Sequence, residues 1–424
     1  MTSDNVGATA DDSDEAAAGC SVDLPLDLIE KILSYLSPLV SARLAVVCKP
    51  WAALISDLLA KPAAPHLFVT TETVHRSPSE PPHRRGSLVA VPLDGSELPS
   101  PAIIPARPHQ ADLLSLGFRC IGATPSGLLA FHDASSNVAV VLANPATDEL
   151  RRIDVGYGLM HHRALQTISA GGGGGGGFFY QDAVGDLTIW RRRPAGGCDD
   201  WSKLTVRRAA EQWATRATTI LSVASSGDGA AAYILHEDGW VCKVDITTAT
   251  PWLLSMERLP VPSLVDSLEF PSATRFCGRL PRAGSYLVES GGEILFVREV
   301  LKYRGIVHGF CSHPGQLVGF EVCRLDEAGR RWARVERLAG DRALFVSPES
   351  ALSVRASETA GCRSGCVYFV SETPRCSWCH VDGCGSTTWG VYSMEDGRVL
   401  FQRPVVGGSS VGRSVARWFL PNVR

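Results

Sequence analysis

Large apolar side chains are almost missing from residues 1–22, which are mainly Ala, Asp, Ser and Gly. Such a stretch has too little apolar surface to offset the entropy of ordering, and it is expected to be a disordered tail. From residue 23 the pattern changes abruptly. Leu24, Leu28, Ile29, Ile32, Leu33 and Leu36 recur at helical spacing and give a first helix one apolar stripe. Asp23 suits its N-cap, and Pro25 its first turn, where a missing N–H costs nothing. Pro38 ends this helix and opens a second, with Leu39, Leu44, Val46 and Val47. Pro50 and Trp51 begin a third, through Leu54, Ile55, Leu58 and Leu59. Three helices this short cannot bury the stripe among themselves, so a partner or the rest of the chain must cover it.

After a linker at 61–65 the chain changes character. Pro62–His109 is rich in Pro, Ser, His and Arg, with one strand-like run at His66–Thr71 and an exposed loop expected at Thr73–Gly86. Beyond it come short β-type runs between Gly, Asp, Asn or Pro turns: GLLAFHD, VAVVLANPATDELRRI, GFFYQDAVGDLTIWRR, AAAYILHEDGWVCKVDI, GEILFVREV, LVGFEVCRLDEAGRRWARV and GCVYFVSE. Several share one form, a strand, a tight acidic-Gly turn and a returning strand, as in LHEDGWVCKVD and YSMEDGRVLFQ. No strong helical period follows residue 60, apart from an ambiguous stretch near Arg207–Thr218. So many short hairpins favour radial repetition over a single sandwich, and repeats of about 40–50 residues would make roughly six to eight propeller blades. The fold class expected is α+β multidomain: a small three-helix unit at 23–60, then a mainly-β propeller over 66–424.

Composition adds limits. Net charge is −3, with six acids and no base in the first 23 residues, so the body is near neutral and neither nucleic acid nor a membrane is the expected partner. Residues 1–20 lack the charged start and apolar stretch of a signal peptide, and no run of 18 apolar residues occurs. The 13 cysteines are an odd count and are expected to stay reduced, in cytoplasm or nucleus.

The segment LPLDLIEKILSYLSPLVSARLAVVCKPWAALI resembles the F-box, whose pattern reads LPxDLxxxILxxLxxxxxxRxxxVCKxWxxLI. Leu24, Pro25, Asp27, Leu28, Ile32, Leu33, Leu36, Arg43, Val47, Cys48, Lys49, Trp51, Leu54 and Ile55 fill it. The resemblance implies docking to a Skp-type adaptor, and through it to the cullin core of an SCF-type ubiquitin ligase. The adaptor-binding residues it implies are Leu24, Pro25, Leu28, Ile29, Ile32, Leu33, Leu36, Val47, Cys48 and Trp51. Further on, GFEVCRLDEAGRRWARVERLAGDRALFVS, GCRSGCVYFVSE, WGVYSMEDGRV and the final WFLP are similar to the plant F-box-associated β-propeller family. That likeness implies a kelch-like propeller and a plant source. Some members recognise kinases in steroid-hormone signalling, but targets in the family are diverse and none carries over.

Other signals weigh less. CSWCHVDGC has the spacing of c-type haem attachment, a chemistry that needs an export or organelle context. Cys376 and Cys379 with Cys362 and Cys366 would make four zinc thiolates; free loop thiols are the preferred reading, so no metal and no cofactor is expected. Gly171–Gly177 lead to Phe178 and Phe179 rather than to the Lys-Ser/Thr of a phosphate loop, and read as a flexible surface loop. Arg191, Arg192 and Arg193 read as a solvated turn, with nuclear import as the alternative. His161, His162, His308 and His313 stand in no catalytic spacing, and no nucleophile or metalloprotease motif is present. Trp190, Trp201, Trp240, Trp332 and Trp389 are expected to lock blades together, with a few lining a partner-binding face as the alternative. The function expected is therefore that of a non-catalytic receptor, which holds an unidentified target near activated ubiquitin; a non-degradative interaction scaffold is the alternative.

Overall fold

The computed structural model describes most of residues 65–420, with its longest interruptions at 207–218, 260–283 and 373–385. Before residue 65 it describes Pro25, Leu28, Ile29, Lys31, Ile32, Leu44 and Ala52. The acidic tail, most of the three-helix unit, the ambiguous stretch at 207–218 and the CSWCHVDGC loop lie outside the described residues.

The body is built from β-meanders. Strands β1 (His66–Thr73), β2 (His83–Ala90) and β3 (Ile103–Pro105) begin the first sheet. A helix, α1 (Pro108–Ser115), leads into β4 (Phe118–Ala123), β5 (Leu129–Asp133), β6 (Ala139–Ala143) and β7 (Leu150–Asp154). The third sheet holds β8 (Ala164–Ile168), β9 (Gly177–Gln181), β10 (Leu187–Arg192) and β11 (Trp201–Val206). The fourth holds β12 (Ile220–Ser225), β13 (Ala231–His236), β14 (Trp240–Asp245) and β15 (Trp252–Arg258). The fifth holds β16 (Ser285–Ser290), β17 (Glu293–Lys302), β20 (Gln316–Asp326) and β21 (Arg331–Arg334), with a small ribbon of β18 (Ile306–His308) and β19 (Cys311–Ser312) between. The sixth holds β22 (Arg342–Ser347), β23 (Ser350–Arg355), β24 (Cys366–Glu372), β25 (Thr387–Ser393) and β26 (Arg398–Pro404). Finally β27 (Gly412–Phe419) returns to pair antiparallel with β1, His66 opposite Phe419 and Thr73 opposite Gly412. The first blade is thus made from both ends of the domain.

Each gap between neighbouring sheets is filled by its own apolar cluster. Phe68, Phe131 and Phe419 join blades one and two; Ile121, Leu142 and Phe178 join two and three; Phe179, Val223 and Ile234 join three and four. Tyr233, Leu287 and Trp332 join four and five; Val288, Phe320 and Phe369 join five and six; Phe345, Tyr368 and Trp418 return from six to one. Six clusters for six sheets close the ring as a six-bladed propeller. Central strands are covered on both faces, which is why β13 and β16 are buried at every position, while outer β7 alternates. This explains the continuous apolar runs in the sequence. The acidic-Gly turns are the hairpins expected: Gly239 and Gly397 stand at φ 81° and 63°, where a Cβ would be strained.

Three expectations need correction. Residues from His83 belong to β2 rather than to a loop: Arg84 pairs with Glu72 at 3.4 Å, and Gly86 gives room to Phe68 and Leu114, which would come within 3 Å of a Cβ. Second, α1 was not legible, because two turns with Leu113 and Leu114 inward are too short to establish a period. Third, Arg191 and Arg192 lie in β10 opposite Gly177 and Trp201, not in a turn.

The sixth blade departs from the rest. Its strand order is β23-β22-β24-β25-β26, with β22 and β24 parallel, so the β22–β23 hairpin adds a fifth strand on the inner side. The hairpin lies across the ring axis. Ser350 Oγ donates to Ala123 O of β4 at 3.2 Å, and Thr167 of β8 donates through both N and Oγ1 to Glu349 O. Ser353 shares a hydroxyl hydrogen bond with Ser290 of β16 at 2.8 Å, and Trp418 N of β27 donates to Ser347 Oγ. The β22–β23 hairpin thereby ties blades one, two, three and five to six.

Candidate functional site

Three places gather chemistry. The first is the helical stripe. Leu28 N and Ile29 N both donate to Pro25 O, at 2.9 and 3.1 Å, which is the first turn of a helix. Leu28 is 45% exposed and Ile32, one turn later, 37%, whereas Ile29 is buried. Pro25 is exposed. Leu24, Leu33, Leu36, Val47, Cys48 and Trp51 lie outside the described residues. Two large apolar side chains at i and i+4 therefore face solvent while their neighbour packs inward, a face suited to a partner.

A second place is a cleft of about 590 Å³ between blades four and five. Lys243 Nζ and the Tyr233 hydroxyl both bond the Glu327 carboxylate, and Lys243 Nζ stands 5.3 Å from the Tyr233 ring centre. Burial would raise the Glu327 carboxyl, but the two bonds outweigh it and hold the group below its usual range. Burial and the Glu327 carboxylate push the Tyr233 phenol up to about 12. Asp228 accepts from Ser226 Oγ and Ala230 N, and Asp245 from Thr247 Oγ1 and N; these bonds keep both carboxyls low.

The third is a charged well on the axis, at the tip of the β22–β23 hairpin. Arg417 of β27 is buried, with Nη2 3.0 Å from Glu349 and Nη1 2.8 Å from Glu372. Glu349 also pairs with Arg119 of β4 at 2.5 Å. Side-chain exposure climbs outward from Arg417 (2%) through Glu372 (18%) and Glu349 (24%) to Arg119 (53%). Glu349 adopts φ 65°, a conformation that favours glycine, so strain is accepted to keep a carboxylate at this turn. Beside Glu372, Ser371 Oγ donates to Glu299 of β17 at 3.2 Å. Burial pushes the Glu299 carboxyl up to about 7, against the Ser371 and Tyr286 hydroxyls.

None of these well residues was singled out from the sequence. The signal available was an acid or base inside an apolar strand, as at Glu299 in LFVREV and Arg417 in VARWFL. Of the four cysteines weighed for zinc, Cys366 packs in the cluster between blades six and one, and Cys362 Sγ contacts Arg363 O at 3.9 Å. Burial raises both thiols, Cys362 to about 12. Cys376 and Cys379 lie outside the described residues, and among those described no group of three metal-binding side chains occurs. The tryptophans serve packing in part: Trp190 stacks on Phe178, Trp332 meets Phe296 edge-on and Trp389 meets Phe401 and Trp418. Trp240 carries Arg258 over its ring, and Trp201 begins β11.

Comparison with known proteins fits this architecture. F-box protein At2g26160 from Arabidopsis thaliana is 31% identical over 140 residues, 33% of this chain and 38% of that protein. The chain thus spans well under half the length of this relative. Among solved structures, apo AztD from Citrobacter koseri covers 68% of this chain and 60% of its own at 11% identity and a TM-score of 0.33. A likeness of that size carries no argument. Residues 22–61 match the F-box domain, and residues 101–393, more than half the chain, match the KIB1-4 beta-propeller. The chain is a member of the KIB1-4 beta-propeller family, carrying an F-box domain before its propeller.

Proposed function

We propose that this chain is the substrate-recognition subunit of an SCF-type ubiquitin ligase, docked to a Skp-type adaptor by its F-box and holding a target on its propeller. The observation that carries the reading is the outward pair Leu28 and Ile32 within the F-box segment. Covering the part of each side chain still exposed, 45% and 37%, gains roughly 1 kcal/mol each. The propeller supports the second half of the reading, because a rigid ring positions loops for recognition while the chain itself breaks no bonds. The gain is positional: target lysines are brought to high effective concentration beside the ubiquitin-loaded enzyme of the cullin complex. The place of action in this reading is the cytoplasm or nucleus.

A pull-down of the full-length chain with a plant Skp-type adaptor tests it, with Leu28→Asp/Ile32→Asp as the paired variant. Wild-type binding and at least tenfold loss in the variant is the expected result. Equal capture of both, or of neither, refutes adaptor docking through this face. Adaptor binding without ubiquitin transfer to a bound target in a reconstituted assay favours the scaffold alternative.

A further inference from the structure

We propose that the axial well is the anchor point for the target, and that it takes a lysine or arginine side chain inserted beside Glu299. This rests on the receptor reading and adds to it a place and a chemistry. The well holds three carboxylates, Glu299, Glu349 and Glu372, against two guanidiniums, Arg119 and Arg417. The guanidiniums are already engaged, since Arg417 is divided between Glu349 and Glu372 and Arg119 is held by Glu349. Glu299 accepts from the Ser371 hydroxyl and has the Tyr286 hydroxyl beside it, and among the described residues no base pairs with it. A half-buried carboxyl with no cation is costly, and a basic side chain from outside would relieve that cost.

Independent geometry points the same way. Tyr286 of β16 is 95% buried, and its hydroxyl lies against the Glu299 carboxyl, helping to hold it ionised, while finding no close hydrogen-bond partner of its own. The Glu299 side chain lies over Gly284, at φ 84°, where an added Cβ would stand 2.9 Å from its Cδ. A side chain at position 284 would therefore collide with the Glu299 side chain where it now rests.

Titration supplies a signature. The groups facing Glu299 are Tyr286 from β16 and Ser371 and Glu372 from β24, with Arg417 from β27 acting on Tyr286 beside them. Burial, with Glu372 adding to it, leaves Glu299 titrating at about 7. A bound cation favours the ionised form, so binding releases a proton and weakens as pH falls below 7, by about tenfold between pH 8 and pH 6.

The test is panning of a displayed random-peptide library on the full-length chain bound to its adaptor at pH 8, or on the full-length chain alone if no adaptor binds. Recovered peptides are then measured by fluorescence polarisation on wild type and Glu299→Gln. We expect peptides with an indispensable Lys or Arg. Replacing that residue by norleucine, or Glu299 by Gln, should each weaken binding at least tenfold, and the pH dependence should vanish in Glu299→Gln. Tyr286→Phe, which keeps the ring packing, should weaken binding severalfold. Peptides without an essential base, basic peptides indifferent to Glu299, or no Glu299-dependent peptide at all overturn the proposal. The adaptor pull-down is read separately, so loss of the ligase reading and loss of the well are distinguishable.

Discussion

The cleft between blades four and five and the well on the axis both gather carboxylates around a base, yet they settle their charges differently. In the cleft every acid is answered from within its own neighbourhood: Glu327 by Lys243 and Tyr233, Asp228 by Ser226, Asp245 by Thr247. Its pairs are also open to water, with Glu327 51% exposed. The well draws its members from β4, β17, β22–β23, β24 and β27, and it buries its central base. Local charges that answer one another keep a surface soluble. In the well charges are brought together across the ring, and among the described residues Glu299 meets no base.

The sharpest test of this contrast is Arg417→Leu. Removing the base leaves Glu372 without its cation and Glu349 with the exposed Arg119 alone, in a site that excludes much of the solvent, and such losses run to about 3–5 kcal/mol. The thermal midpoint of the chain is expected to fall by several degrees, with most of it restored in Arg417→Leu/Glu349→Gln/Glu372→Gln, because uncharged partners no longer need the guanidinium. A midpoint unchanged in Arg417→Leu would place the well in solvent and dissolve the contrast.

Glu299→Gln works in the opposite direction. With the folded carboxyl at about 7 and the ordinary value at 4.5, the folded chain holds a proton between those pH values that the unfolded chain has released. Each unit of rising pH in that window therefore subtracts stability, and the loss is complete above about 7. Glu299→Gln removes this slope. At pH 8 the variant should be more stable by about 1–2 kcal/mol, allowing for solvent at the mouth, and by nothing at pH 4. Urea unfolding at the two pH values measures it. A variant less stable than wild type at pH 8 would mean that Glu299 has a cationic partner.

Legibility in the sequence follows the same division. Hairpins were readable because the turn and both strands lie within a dozen residues, as around Gly239 and Gly397, and a six-bladed ring falls within the expected range. The F-box was readable because its pattern is contiguous. What was lost depends on distance in the chain. Arg119, Glu299, Glu349, Glu372 and Arg417 lie up to 298 positions apart, and only ring closure by β27 brings them together. The added hairpin of blade six was hidden for another reason: RALFVSPESALSV reads like any other hairpin, and nothing local says that it lies on the axis. Helix α1 was hidden by brevity.

Lys243→Met is the smallest expected effect and completes the comparison from the cleft side. It deletes an ion pair and a cation–π contact, but both groups reach water and the methionine keeps the stem that packs on Tyr233. Exposed pairs of this kind contribute about 0.2–1 kcal/mol, and salt screens them. Glu327 would still accept from Tyr233, so no acid is stranded. The expected loss is therefore under 1 kcal/mol in low salt, shrinking toward zero near 1 M salt, as read by urea unfolding at both ionic strengths. A loss as large as that of Arg417→Leu, or one indifferent to salt, would show that the cleft is as dry as the well and that its acids also depend on a single base.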